Sequence, residues 1–179
     1  MGIQTGVFFL ALLSASGATA RHQAGPCSPE QAEFSAEDSK VERPVGIPDD
    51  VLAILRNDED VRRTLENEPW PVERVFPTWF SASVVHLDGP GEKDIVVMAT
   101  GQLRGANITT FWVFRPTSRG HELILKVAEH DLIVTNKRWK GHRIIETGRV
   151  TGTLLRTARY RFDGGQYQGF SDTGWKEIR

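Results

Sequence analysis

A chain of 179 residues with a formal net charge of −1 has room for one domain, with or without a tail. A single cysteine, Cys27, excludes an internal disulfide and any thiolate metal cluster. Residues 21–70 hold twelve acidic and six basic side chains, and residues 71–179 hold eleven and sixteen. That imbalance is too small for the dense basic face of a nucleic-acid-binding domain.

The first twenty residues, "MGIQTGVFFLALLSASGATA", carry no charge. An apolar run from Val7 to Leu13 followed by Ala18-Thr19-Ala20 has the form of a secretory signal peptide, 1–20, with cleavage near Ala20. It predicts a secreted or periplasmic protein. No later segment approaches the roughly 20 apolar residues of a membrane span. Cys27 is either a lipid-attachment site, since Ala24 and Gly25 precede it, or a free thiol; Pro26 beside it argues for the second.

Residues 21–46 contain one aromatic and few aliphatics, a composition that reads as a disordered tether. Residues 47–68 read as a short helical segment. Val51, Leu52 and Leu55 share one helical face, and Val61 and Leu65 repeat the i,i+4 spacing. Asp49 and Asp50 suit the positive end of a helix dipole. Asn57-Asp58 is the point at which the segment would break in two, and Pro69 and Pro71 end it.

From Phe76 the pattern is β, within a domain spanning 76–179. Strands are expected over 80–87, 94–99, 108–115, 121–128, 131–136, 143–149, 153–162 and 166–170, separated by Gly, Asp, Pro and Asn. "TTFWVFR" is apolar on both faces, so it is either a central strand covered on both sides or a strand lining a groove. "YRFDGGQY" is the clearest hairpin, with Asp163-Gly164 suited to the positive φ angles of a tight turn. A shift of 49 residues lays Asp94-Ile95-Val96 on Arg143-Ile144-Ile145 and Thr110-Phe111 on Arg159-Tyr160. The expected fold is therefore mainly β, an antiparallel two-sheet sandwich built from two repeat-like units, about 80–128 and 129–179, that hide one face each against the other.

"HLDGPGEKDIVVMATG" resembles the FG-GAP (VCBS-type) repeat, of the form D-L-N-G-D-G-x-x-D-I-V-V, through Leu87, Gly89, Gly91, Asp94, Ile95, Val96 and Val97. In that family the loop oxygens bind calcium, which takes six to eight oxygen ligands. Carried over by position, the ligands fall on His86, Asp88, Pro90 and Asp94, so two carboxylates survive. The resemblance thus implies a retained turn with a degenerate metal site, and no cofactor is expected. The hairpin from Tyr160 to Tyr167 is similar to an aromatic hairpin of periplasmic lysozyme inhibitors. The chain more widely, including "GANITTFWVFR", resembles uncharacterised secreted bacterial proteins, which implies no activity.

No nucleophile elbow, phosphate-binding loop or His-Glu-x-x-His segment occurs in the sequence. A metal-dependent hydrolase built on His86, Asp88 and Asp94 is the enzymatic alternative. The most suggestive surface feature is "NKRWKGHR", which gathers Lys137, Arg138, Lys140 and Arg143 around Trp139. Cations beside an aromatic grip anionic polymers or acidic protein clefts by charge and stacking. The leading expectation is a non-enzymatic binding domain for a protein or anionic polymer, with a lysozyme-inhibitor-like protein as the alternative. The sequence does not specify the oligomeric state.

Overall fold

The computed structural model describes residues 32–38, 40–67, 70–89, 91 and 93–178. The signal segment, Cys27, the first part of the expected tether and Pro90 lie outside the described residues. The elements are β1 (Ala32–Ser35), α1 (Asp49–Arg56), α2 (Glu59–Asn67), β2 (Phe80–Val85), β3 (Asp94–Ala99), β4 (Thr109–Thr117), β5 (Gly120–Glu129), β6 (Asp131–Trp139), β7 (His142–Thr151), β8 (Leu154–Phe162), β9 (Tyr167–Asp172) and β10 (Lys176–Glu177).

The protein is a mainly β, two-sheet antiparallel sandwich. One sheet has the order β2-β3-β4-β5; the other has the order β1-β6-β7-β8-β10, with β9 also paired to β8. The chain passes from one sheet to the other at His130: β2 to β5 form the four-stranded sheet, and β6 to β10 form all of the six-stranded sheet except β1. Val96 and Met98 of β3 and Phe111 and Val113 of β4 pack against Leu132, Val134 and Ile145 of the second sheet. Alternation sends their neighbours Ile95, Val97, Trp112 and Phe114 to the opposite face, where they meet Val51, Leu55 and Val61 of the helices. "TTFWVFR" is therefore the central strand covered on both sides, and the helices form a third layer over the four-stranded sheet.

Polar side chains fasten that layer. The Trp112 indole donates to Asp58 Oδ2 at 3.0 Å. Lys126 Nζ lies 2.9 Å from Asp58 and 2.7 Å from Asp60. Burial alone would raise the Asp58 pKa, but the bonds from Lys126 and Trp112 outweigh it and hold the carboxyl below its ordinary range. At the turn between β4 and β5, Asp50 accepts the His121 N–H at 2.7 Å. Gly120 makes room for this contact, because a Cβ there would sit 2.5 Å from the Asp50 carboxylate.

The expectation of a disordered tether fails over its described part. β1 pairs antiparallel with β6, and Phe34 is 1% exposed in the inter-sheet core. Further on, Val45 N–H donates to Ala82 O at 3.0 Å and Val84 N–H to Arg43 O at 3.3 Å. The segment is a strap that joins the edge of one sheet to the edge of the other. Its few apolar residues, Ala32, Phe34 and Ala36, stand at alternate positions, so one strand face suffices to bury them despite the polar composition.

Two turns also differ from expectation. β6 and β7 run on to Trp139 and His142, joined by Lys140 (φ 48°) and Gly141 (φ 88°), a two-residue turn with both φ angles positive. At Asp163 the hairpin instead needs four residues. Asp163 Oδ1 accepts the N–H groups of Gly165 and Gln166 at 2.9 Å each, a job that its carboxylate does without a positive φ of its own.

Candidate functional site

The extension of β6 and β7 decides what each cation of "NKRWKGHR" can do. Arg143 shares the inward face of Ile145 and Thr147, and it is 2% exposed. Its Nε donates to His86 O at 2.7 Å, and its Nη1 donates to Thr135 O at 3.2 Å and to Asn136 Oδ1 at 3.1 Å. Arg138, directly opposite Arg143, donates to Asp88 O at 3.1 Å and to Gly141 O at 2.6 Å. These two arginines are clamps on the 86–88 loop and the turn, and the expectation of Arg143 as a surface contact is corrected by its burial. Lys137, Trp139 and Lys140 remain exposed, Trp139 at 43%.

The loop they clamp is the stretch where a degenerate metal turn was expected. Asp94 is buried, and its Oδ2 accepts the Leu87 N–H at 2.9 Å, so the carboxylate closes the turn onto its own backbone. His86 is half-buried and Asp88 is exposed. Among the described residues no group of three His, Cys, Asp or Glu side chains is placed to hold a metal ion. The Tyr167 hydroxyl donates to Arg143 O at 2.8 Å. Burial pushes its pKa up, and the negative charges of Asp94 and Asp88 push the same way. The hairpin from Tyr160 to Tyr167 therefore sends Tyr167 into the core.

Beside Trp139 the fold places two residues that sequence reasoning missed. Arg159 and Arg161 alternate with buried Ala158 and Phe162, so both lie on the outer face of the six-stranded sheet. Phe170 is the extra residue of a bulge, since Tyr160 pairs with Gly169 and Arg159 with Ser171. The Arg161 guanidinium carbon lies 4.8 Å from the Trp139 ring centre and 5.4 Å from that of Phe170. The two rings, both 43% exposed, form with Arg161 a strip across the outer face. The alternating arginines of "RTARYRF" were the available signal, but the meeting of Arg161 with Trp139 depends on cross-strand register.

One cavity of about 380 Å³ borders the strip, with Arg156, Tyr160, Phe170 and Asp172 in its lining, and others lie by the helices. One of about 400 Å³ is lined by Asn57, Arg62, Leu65, Glu66, Trp70 and Val72. Another of about 550 Å³ opens between α1 and β5, where Ile54, Leu123 and Lys126 line it. Neither is lined by a histidine, cysteine, serine or threonine. Among the described residues no helix is long and apolar enough to cross a membrane. The chain matches no protein family, no curated protein and no solved structure.

Proposed function

We propose that this is an exported, secreted or periplasmic, non-enzymatic binding domain that engages a protein or anionic polymer through the outer face of its six-stranded sheet. The observation that carries the reading is the Trp139–Arg161–Phe170 strip with Lys137 and Lys140 beside it. Large half-exposed rings next to cations are costly to leave in water and are the anchors that binding surfaces use. The test is capture from an envelope fraction by immobilised protein. The Trp139→Ala/Lys140→Ala double variant is expected to lose the retained material while unfolding within about 1 kcal/mol of the parent, as surface changes usually do. Retention equal to the parent's would remove the outer face from the reading.

A second reading is favoured by the projecting Lys140-Gly141 turn, which could enter a carboxylate-lined cleft as lysozyme-inhibitor loops do. A lysozyme activity assay decides it: no inhibition at micromolar excess of the protein discards it.

A further inference from the structure

The six-stranded sheet carries six arginines, and five of them end on an oxygen. Arg138 and Arg143 hold loop carbonyls, Arg149 pairs with Glu129, Arg156 with Asp172 and Arg159 with Glu146. Arg161 has no such partner among the described residues; its contacts are the faces of Trp139 and Phe170. The two rings hold the guanidinium in place, and its planar N–H edge has no acceptor among the described residues. That planar edge matches a carboxylate or similar oxyanion with two parallel bonds, which a lysine cannot reproduce.

We infer that Arg161 is the recognition point for a carboxylate and that the strip binds an acidic polysaccharide. This deepens the proposed function and rests on its placement of the binding face. Three features favour that ligand. The ring centres are at most about 10 Å apart, the sum of their distances to the shared guanidinium, a span that two linked sugar rings cover. Each ring keeps exposed surface on which the C–H face of a sugar can lie against the negative face of the π system. Residues 131–177 also hold nine Lys and Arg against five Asp and Glu, so the sheet attracts a polyanion.

The rival macromolecules fit less well. Nucleic acid asks for a track of cations matched to successive phosphates. Among the described residues Lys137, Lys140 and Arg161 serve the strip, while Arg138 is held on the Asp88 and Gly141 carbonyls and Arg159 is neutralised by Glu146 at 2.6 Å. An acidic peptide offers carboxylates on flexible side chains but no flat ring for Trp139 and Phe170.

The experiment uses the full-length protein in titration calorimetry against polygalacturonate. Its fully methyl-esterified form, poly-L-glutamate and oligothymidine are the comparison probes. The expected result is binding to polygalacturonate at least 10-fold tighter than to any of the three. Arg161→Gln should weaken it 10-fold or more and Arg161→Lys about 5-fold, with thermal melting unchanged. No binding to polygalacturonate, equal binding to poly-L-glutamate or oligothymidine, or unaltered affinity in Arg161→Gln would each overturn the inference. If those results came while the Trp139→Ala/Lys140→Ala variant still lost capture, the polysaccharide would fall and the binding face would stand. If capture were also unaltered, both would fall.

Discussion

Arg143 and Arg161 share a side chain and a sheet, yet their surroundings assign them opposite roles. Arg143 donates from a buried position to the carbonyls of His86 and Thr135. Replacing it with Met should cost about 2–3 kcal/mol, the usual penalty of stranding such groups. Urea unfolding checks this, and a loss under about 1 kcal/mol would show that the clamp is idle. The same contrast separates the carboxylates of the opening loop. Asp94 is occupied by the Leu87 N–H, whereas Asp88 faces solvent while its carbonyl accepts from Arg138. A guanidinium next to that carbonyl disfavours a second cation there.

At the scale of elements, β1 is held by hydrophobic burial and by a titratable clasp. Ala36 N–H donates to His130 O at 2.7 Å. The His130 ring lies 2.8 Å from Asp131 and 3.4 Å from Glu37. Partial burial alone would lower the His130 pKa, but those two carboxylates outweigh it and raise it above the ordinary value. A raised folded pKa means that the clasp contributes fully below about pH 6.5 and is lost as the pH climbs through the folded value. Hydrogen exchange at the β1 amides, corrected for intrinsic rates, should therefore quicken between pH 6 and pH 8.5 relative to β7. In His130→Gln that change should vanish; an unchanged ratio in the parent would rule out the clasp.

At the scale of the molecule, three layers solve a problem set by one strand. β4 is apolar on both faces, so the four-stranded sheet needs a cover on the side away from its partner sheet. α1 and α2 supply the cover, and Asp58 locks it by accepting from Trp112 and pairing with Lys126. The Asp58→Ala variant should lose about 1–3 kcal/mol, because the Trp112 N–H is then left without an acceptor. The depressed Asp58 pKa gives a second readout. Its contribution is present above the ordinary carboxylate range and lost as the pH falls below about 4. The parent should thus destabilise more steeply in acid than the variant, by chemical unfolding at pH 7 and pH 3; parallel curves would remove the lock.

Much of the architecture was legible because period-two alternation, Gly and Asp turns and a doubly apolar strand are local facts of the chain. They predict strands, a sandwich and one strand whose second apolar face is either covered or lines a groove, without reference to distant residues. The strap was missed because a window average hides three well-spaced small or aromatic residues, Ala32, Phe34 and Ala36, among polar ones. The roles of the arginines were missed for a different reason. Alternation tells which residues share a face, but only packing tells which face meets the other sheet. The strand expected over 143–149 already set Arg143 on the face of Ile145, but the adjacent Ile144 and Ile145 left either face free to be the inner one. The union of Trp139, Arg161 and Phe170 depends on the pairing of separate strands and on a bulge at Phe170. Cross-strand register is a property of the folded sheet, and no single stretch of sequence contains it.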